Sequence, residues 1–345
     1  MKPSAASTAS GVPSSAARAG RRRDGRARTM NAPADGACLA LDIGGTKLRA
    51  GLVAADGRVL VAQTHASHAT AGAARVMAAV QACCDELRAA ASAQGCRLLG
   101  IGVSAAGVID TETGCVLRAG DTMPGWAGTA LATELQARHG LPVRADNDVN
   151  CALRGELWLG GHGPRPGLTL MLALGTGLGA ALAHDGRIVT GAHQHTGHWG
   201  WRLVWHPVQG RLVPLESLVS GTGLRNLYRH HGGTQPGALA AGTAVVELAQ
   251  RGDGAAGAAL AEWVDLLAVQ LHNDHWSLDP ALVLLGGGVI GSQAAWWPAL
   301  QQRLQALGAP LPLRAATLGN DAGMLGAAAL AWQAFGGGAS EGAAA

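Results

Sequence analysis

One pattern occurs twice in this chain, and it restricts the fold more than any other feature. The stretch CLALDIGGTKLRAGLVAADGRVLVAQT, at 38–64, reads as an apolar strand, a Gly44-Gly45 turn, a second strand, an Asp56-Gly57 turn and a third strand. About 130 residues on, LTLMLALGTGLGAALAHDGRIVTG repeats it, with Gly175 to Gly179 at the first turn and Asp185-Gly186-Arg187 matching Asp56-Gly57-Arg58. Each copy is a three-strand meander, and two copies imply two related domains. The 345 residues suffice for both, each with its own apolar core.

Helical stretches at Ala73–Ala91 and Trp126–His139 alternate with short apolar strands at Leu98–Val103 and Val143–Ala145, as in an α/β domain. The second copy continues in the same order, with a helix near Ala256–Trp276, a strand at Ala281–Leu285 and the run Gly286-Gly287-Gly288 before a further helix. Such duplicated domains, each opening with a glycine-turned hairpin, resemble the actin-like ATPases, with duplicated ribonuclease H-like domains facing across a nucleotide cleft. The expected division is 37–158 with 321–335 as the N-terminal domain and 159–320 as the C-terminal domain. Tails at 1–36 and 336–345 are expected to be disordered.

The hairpin tips suit phosphate, because glycine lets backbone N–H groups approach an anion without an intervening side chain. In the first, Gly44, Gly45, Thr46 and Lys47 follow Asp42, placed to order the water shell of Mg²⁺; in the second the tip is Gly175, Thr176 and Gly177. Lys47 is the one lysine beyond the N-terminal tail. Taken singly, either turn reads equally as a tight hairpin. The third glycine run, including Gly287 and Gly288, offers flat backbone for an adenine and ribose. Neither GxxxxGK[ST] nor a strand-opened GxGxxG is present.

Phosphorylating a hydroxyl requires a proton acceptor and a group that holds the acceptor hydroxyl in line. RADNDVNCALRGE supplies both, Asn147 and Asp148 falling where a strand ends and the helical run Val149–Trp158 begins. Asp148 is the candidate base. It would equally serve as a helix cap, and Asp146 is a rival base.

Other classes fit less well. Residues 1–36 carry six Arg and Lys2 against Asp24 and Asp35, which is +5 of the net +3, so the remainder is near −2 and not basic. The tail is too short and too poor in apolar residues for a DNA-binding helix-turn-helix, and no apolar run after Arg21–Arg23 makes an export signal; it reads as dispensable, with Met30 an alternative start. No uninterrupted 18-residue apolar stretch occurs, so neither a membrane nor a nucleic acid is an expected partner. Cys38, Cys83, Cys84, Cys96, Cys115 and Cys151 form no CxxC and read as thiols of a cytoplasmic protein.

With these motifs in order, the chain resembles the ROK family of sugar kinases and related repressors from about Ala37 to Ala331. The resemblance is carried by LDIGGTK (41–47), GIGVSAAGVID (100–110), MPGW (123–126), NDVNCALRGE (147–156), LGTGLGAAL (174–182), LESLVSGTGL (215–224), LDPALVLLGGGV (278–289) and LGNDAGMLGAAAL (318–330). It implies ATP and Mg²⁺ as cosubstrate and cofactor, Asp148 as general base for a sugar hydroxyl, usually the 6-hydroxyl, and Asn147, Gly107 and Glu216 as sugar contacts. It also implies a homodimer.

The family's GEIGH segment and CxCGxxGC run, which contribute a sugar-binding Glu and the ligands of a structural zinc, have no match. GHWGW stands at 197–201 and WHPVQGRLVP replaces the cysteines. His198 occupies the Glu position, and Trp201 the His position. No zinc site is expected, since three cysteines and a histidine have gone together. Trp199, Trp201 and Trp205 could close the loop by packing, Trp201 either in the core or stacked on a sugar. His198 in place of Glu leans towards an N-acetylated hexosamine. A metal held by His193, His195 and His206 fits no regular spacing. The expected activity is an ATP-dependent hexose or N-acetylhexosamine kinase, and the alternative is a sugar-sensing regulator with little turnover.

Overall fold

The computed structural model describes residues 36–206 and 210–336, all within one compact unit. Except for Gly36 and Gly336, the two tails and the alternative start lie outside the described residues, as do the three residues 207–209 in the segment expected to replace the cysteines. The first half runs β1 (Ala37–Ile43), β2 (Lys47–Val53), β3 (Val59–Ala66), α1 (Ala73–Ala93), β4 (Leu98–Ala105), β5 (Val108–Ile109), β6 (Val116–Arg118), α2 (Leu131–His139), β7 (Val143–Asn147) and α3 (Asp148–Trp158). The second runs β8 (Leu168–Leu174), β9 (Leu178–His184), β10 (Arg187–Ile188), β11 (Leu203–His206), β12 (Arg211–Pro214), α4 (Gly221–His230), α5 (Gly242–Gln250), α6 (Gly254–Leu278), β13 (Leu282–Gly286), α7 (Trp297–Ala306) and β14 (Leu313–Ala315). The chain then returns to the first half as α8 (Ala322–Phe335).

The sequence repeat is a repeat of topology. One five-stranded sheet has the order β3-β2-β1-β4-β7 and the other β10-β9-β8-β13-β14, each an antiparallel meander extended by two parallel strands. The second meander is the weaker copy, its third strand only two residues long. Parallel strands buried on both faces need unbroken apolar runs, and LVLLG in β13 is buried at every position. Helix α6 alone among the described helices is long and apolar enough to cross a membrane, yet Trp263, Leu267 and Leu271 bury it in the second core.

Several elements differ from expectation. The helix expected from Trp126 begins at Leu131, because Trp126 is a buried anchor whose indole donates to the carbonyl of Ala106. Gly288 opens a 3-10 segment to Ala295, and the α-helix waits until Trp297. Helix α3 serves both sheets: Val149, Leu153 and Leu157 pack on Met171, Ala181 and Leu284 of the second sheet, while Cys151 packs on α8. The α3–α8 crossing is close enough that a Cβ at Gly326 would overlap the carbonyl of Cys151, and one at Gly155 would come within 2.7 Å of the carbonyl oxygen of Ala322.

Candidate functional site

Three parallel strands deliver the first cluster. Register places Asp42 of β1 beside Ser104 of β4, and Ser104 beside Asp146 of β7, so polar residues gather where these strands end. The fully buried Ser104 donates to Asp42 Oδ1 at 2.5 Å. Burial raises the Asp42 carboxyl above its usual range, with that bond pulling the other way. In the sequence Ser104 looks like one more small residue in an apolar strand.

At the next strand end the expected capping duty moves by one residue. Asn147, not Asp148, caps α3: its Oδ1 accepts from the amides of Val149 and Asn150 at 2.9 and 3.3 Å. Its Nδ2 donates to the carbonyl of Gly107 at 2.8 Å, joining two expected sugar-site residues. Gly107 has φ 109°, and a Cβ there would run into the carbonyl of Arg118. Asp148 is the first helical residue, and burial, with the charge of Asp42 adding to it, pushes its carboxyl up to about 7. Asp146 is already engaged, accepting from the Asn147 amide at 2.7 Å, Asn150 Nδ2 at 2.8 Å and Arg154 Nη2 at 3.1 Å. Of the two acids, Asp148 is the freer to take a proton.

The hairpin tips differ in support. At the first, the Gly44 amide donates across the turn to the carbonyl of Lys47, leaving Thr46 and Lys47 exposed and Gly45 half-buried. At the second, Gly175 and Thr176 accept through their carbonyls from the amides of Gly221 and Thr222, so the N-terminus of α4 abuts the tip. Ser220 caps that helix. In the sequence SGTGL reads only as a helix start, by its serine and glycines, with no local sign of this juxtaposition. Gly287, at φ 84°, lies so close to the end of β8 that a Cβ would stand 2.6 Å from the carbonyl carbon of Leu174; Gly288 faces open space. The third glycine run thus adjoins the second hairpin, as Gly286 pairs with Ala173.

Glu216 reaches the same hairpin, accepting from the Leu178 amide at 3.4 Å, and a Cβ at Gly177 would stand 2.7 Å from its Oε2. His198 is partly buried, which lowers its pKa and favours neutral imidazole, one donor and one acceptor. It stacks on Trp201 with ring centroids 5.4 Å apart. Trp201 is not core: it is 43% exposed, and Arg118 of the first half lies over it at 5.5 Å. Trp205, 62% exposed, does not close the loop either; Trp199 is the one of the three that is buried.

A divalent cation with ATP fits the first cluster, where Asp42 and Asp148 are both held towards their neutral forms and, among the described residues, have no positive partner in their immediate bonds. Among the described residues no three His, Cys, Asp or Glu side chains are grouped so as to hold a metal ion, and all six cysteines are on the first half. A cavity of about 440 Å³ between Arg58, Arg97 and Trp332 opens beside Gly36 at the opposite end of β1, and shares no residue with this site.

The sequence pattern of the ROK family matches residues 38–334. The chain belongs to the ROK family. It is 31% identical over 290 residues to the beta-glucoside kinase of Klebsiella pneumoniae, covering 84% of this chain and 93% of that one. An N-acetyl-D-glucosamine kinase of Salmonella heidelberg is 32% identical over 269 residues, 72% and 82% of the two chains. Among solved ROK structures, the glucokinase from Streptomyces griseus in complex with glucose and AMPPNP superposes with a TM-score of 0.71 at 26% identity. It covers 86% of this chain and 100% of that chain. A ROK hexokinase from Thermus thermophilus gives 0.72 at 28% identity, over 86% and 99% of the two chains.

Proposed function

We propose that this chain transfers the γ-phosphoryl group of ATP to a hydroxyl, by expectation the 6-hydroxyl, of a hexose or N-acetylhexosamine, with Asp148 as general base. The chain is an ATP-dependent sugar kinase of the ROK family. The finer reading rests on one observation above the rest: Asp148 begins α3 relieved of the cap by Asn147, with a carboxyl raised to about 7. A carboxyl near neutral pH can accept a proton during phosphoryl transfer and lose it again between turnovers.

In this reading Asn147 and Gly107 hold the sugar beside Asp148, and Glu216 and His198 contact it from the second half. The hairpin tips at Gly44–Lys47 and Gly175–Gly177 offer amides to the phosphates, with the start of α4 behind the second, and Gly287–Gly288 receives the nucleoside. Asp42 would hold Mg²⁺ through its water shell; bound there, the ion neutralises phosphate charge and aligns the transferred group. Closure of the division expected at 37–158 with 321–335 against 159–320 would exclude water from the transfer. The relatives named for β-glucosides and N-acetyl-D-glucosamine set the substrate range to examine.

The test is sugar-dependent ADP release from Mg-ATP with glucose, mannose, fructose, allose, N-acetylglucosamine, N-acetylmannosamine and a β-glucoside. Turnover on one of them, lost in Asp148→Asn with ATP still bound, is the expected result. Turnover that survives Asp148→Asn removes the base, and bound ATP with no turnover on any sugar favours a sensor.

A further inference from the structure

The segment at 197–201, where the sequence is expected to depart from the ROK pattern, is held from beneath by a charge. Arg202 follows the 3-10 turn Trp199–Trp201, and its guanidinium lies over the Trp199 ring at 3.7 Å. From there Nη1 donates to Asp274 Oδ1 at 3.1 Å. Asp274 belongs to α6 and its side chain is 2% exposed; Gln270, one turn earlier, donates to the other oxygen at 2.9 Å. Both carboxylate oxygens are therefore satisfied, and the stack of cation on buried indole sets the direction from which Arg202 arrives.

The other side of Arg202 leads to the substrate side. Its carbonyl accepts from the Leu215 amide at 2.8 Å, the residue before Glu216. Two residues back, Gly200 is packed so closely on Glu216 that a Cβ would stand 3.0 Å from Oε2. A carboxylate buried in a core helix is a poor choice for stability alone, since an apolar side chain would serve the core as well. Apolar anchorage here comes from Trp199, Val204 and Leu215, which pack in or on the second core, while Leu203 and Trp205 are 63% and 62% exposed. What the ion pair adds to the seating of Trp199 is a fixed direction for the chain that leaves it at Arg202.

We propose that Arg202 and Asp274 are positioning residues of the sugar site: the ion pair, braced on Trp199, fixes the 197–202 loop and the adjoining Leu215–Glu216 in place of a metal staple. The kinetic arm of the test rests on the sugar-kinase reading; the structural arm does not.

The full chain would carry Arg202→Ala, Arg202→Lys or Asp274→Asn, the last two guarding against a variant that fails to fold. Sugar and ATP KM, kcat and hydrogen exchange at the Leu215 amide are read for each, with zinc measured in the purified wild type. Arg202→Ala is expected to raise sugar KM about tenfold or more, to change ATP KM less than about twofold, and to lose Leu215 protection. Arg202→Lys and Asp274→Asn fall between, since Lys reaches the carboxylate but cannot lie flat on the indole and Asn keeps a hydrogen bond without the charge. Wild-type sugar KM and Leu215 protection in Arg202→Ala overturn the proposal. So does stoichiometric zinc whose removal abolishes that protection. A wild type without sugar turnover, in which Arg202→Ala still loses Leu215 protection, fails the kinase reading and keeps the staple.

Discussion

Asn147 Oδ1 and Asp148 Oδ1 both accept the amide of Val149, at 2.9 and 3.0 Å, but Asn147 also takes the amide of Asn150 and completes the cap of α3. The carboxylate can therefore be altered without uncapping the helix. Because α3 packs on both sheets, its first turn is fixed from two sides, and a raised carboxyl can be sustained there at a cost to stability.

That cost has a definite pH signature. The Asp148 carboxyl rises from 3.8 to about 7 on folding, through burial first and the charge of Asp42 second. A group with a raised folded pKa contributes stability that is fully present below the unfolded pKa and lost as pH rises through the folded one. Asp148→Asn, neutral at every pH, should therefore be more stable than the wild type at pH 8, by at most a few kcal/mol, and the advantage should vanish near pH 4. Thermal melts of both proteins at the two pH values check this; an advantage of equal size at both would refute the raised carboxyl. If Asp148 is the general base, as proposed, the kcat/KM of the wild type should rise with pH through about 7 as its carboxyl ionises.

The same neighbourhood separates what the sequence discloses from what it hides. The two hairpins were legible because Gly44-Gly45 and Asp56-Gly57, with their second copies, are local turn chemistry that tertiary context does not override. The cap of α3 was not, because the end of β7 at Asn147 is set by pairing with Ala105 across the sheet, and a shift of one residue exchanges the roles of Asn147 and Asp148. Ser104 carries no local mark of its bond to Asp42. Trp201 is as apolar in sequence as Trp199, and only the course of the 3-10 turn buries one and exposes the other.

Ser104 is the next position to change. Its hydroxyl donates to Asp42 Oδ1 from a fully buried site, so Ser104→Ala leaves that carboxylate oxygen without its donor and makes the ionised form of Asp42 harder to keep. If Asp42 holds the cation, as proposed, the Mg²⁺ concentration for half-maximal turnover should rise about five- to tenfold, as expected for losing one charge-assisted hydrogen bond. Sugar KM should stay within about twofold. A Mg²⁺ titration at saturating ATP and sugar reads both effects, and a shift in sugar KM with unchanged Mg²⁺ demand would move Asp42 out of the cation's reach.

Glu156 holds the place where the chain crosses back from the second sheet to α8. Its side chain is fully buried at the end of α3; Oε1 accepts from the amides of Thr317 and Leu318 at 2.9 and 2.8 Å, and Oε2 from the Thr317 hydroxyl at 3.1 Å. Glu156→Ala strands two amides and should cost about 2–4 kcal/mol. Glu156→Gln keeps an acceptor for the amides but turns an NH₂ group towards the Thr317 hydroxyl and His162, and should lose less. If this contact also guides closure between the two halves, the Gln variant will show a lower kcat with little change in melting temperature, because the same bonds must hold while the halves move. Urea denaturation and steady-state turnover on both variants separate the two effects. Equal losses of stability in Ala and Gln would mean that the charge of Glu156 matters more than its fit to the two amides.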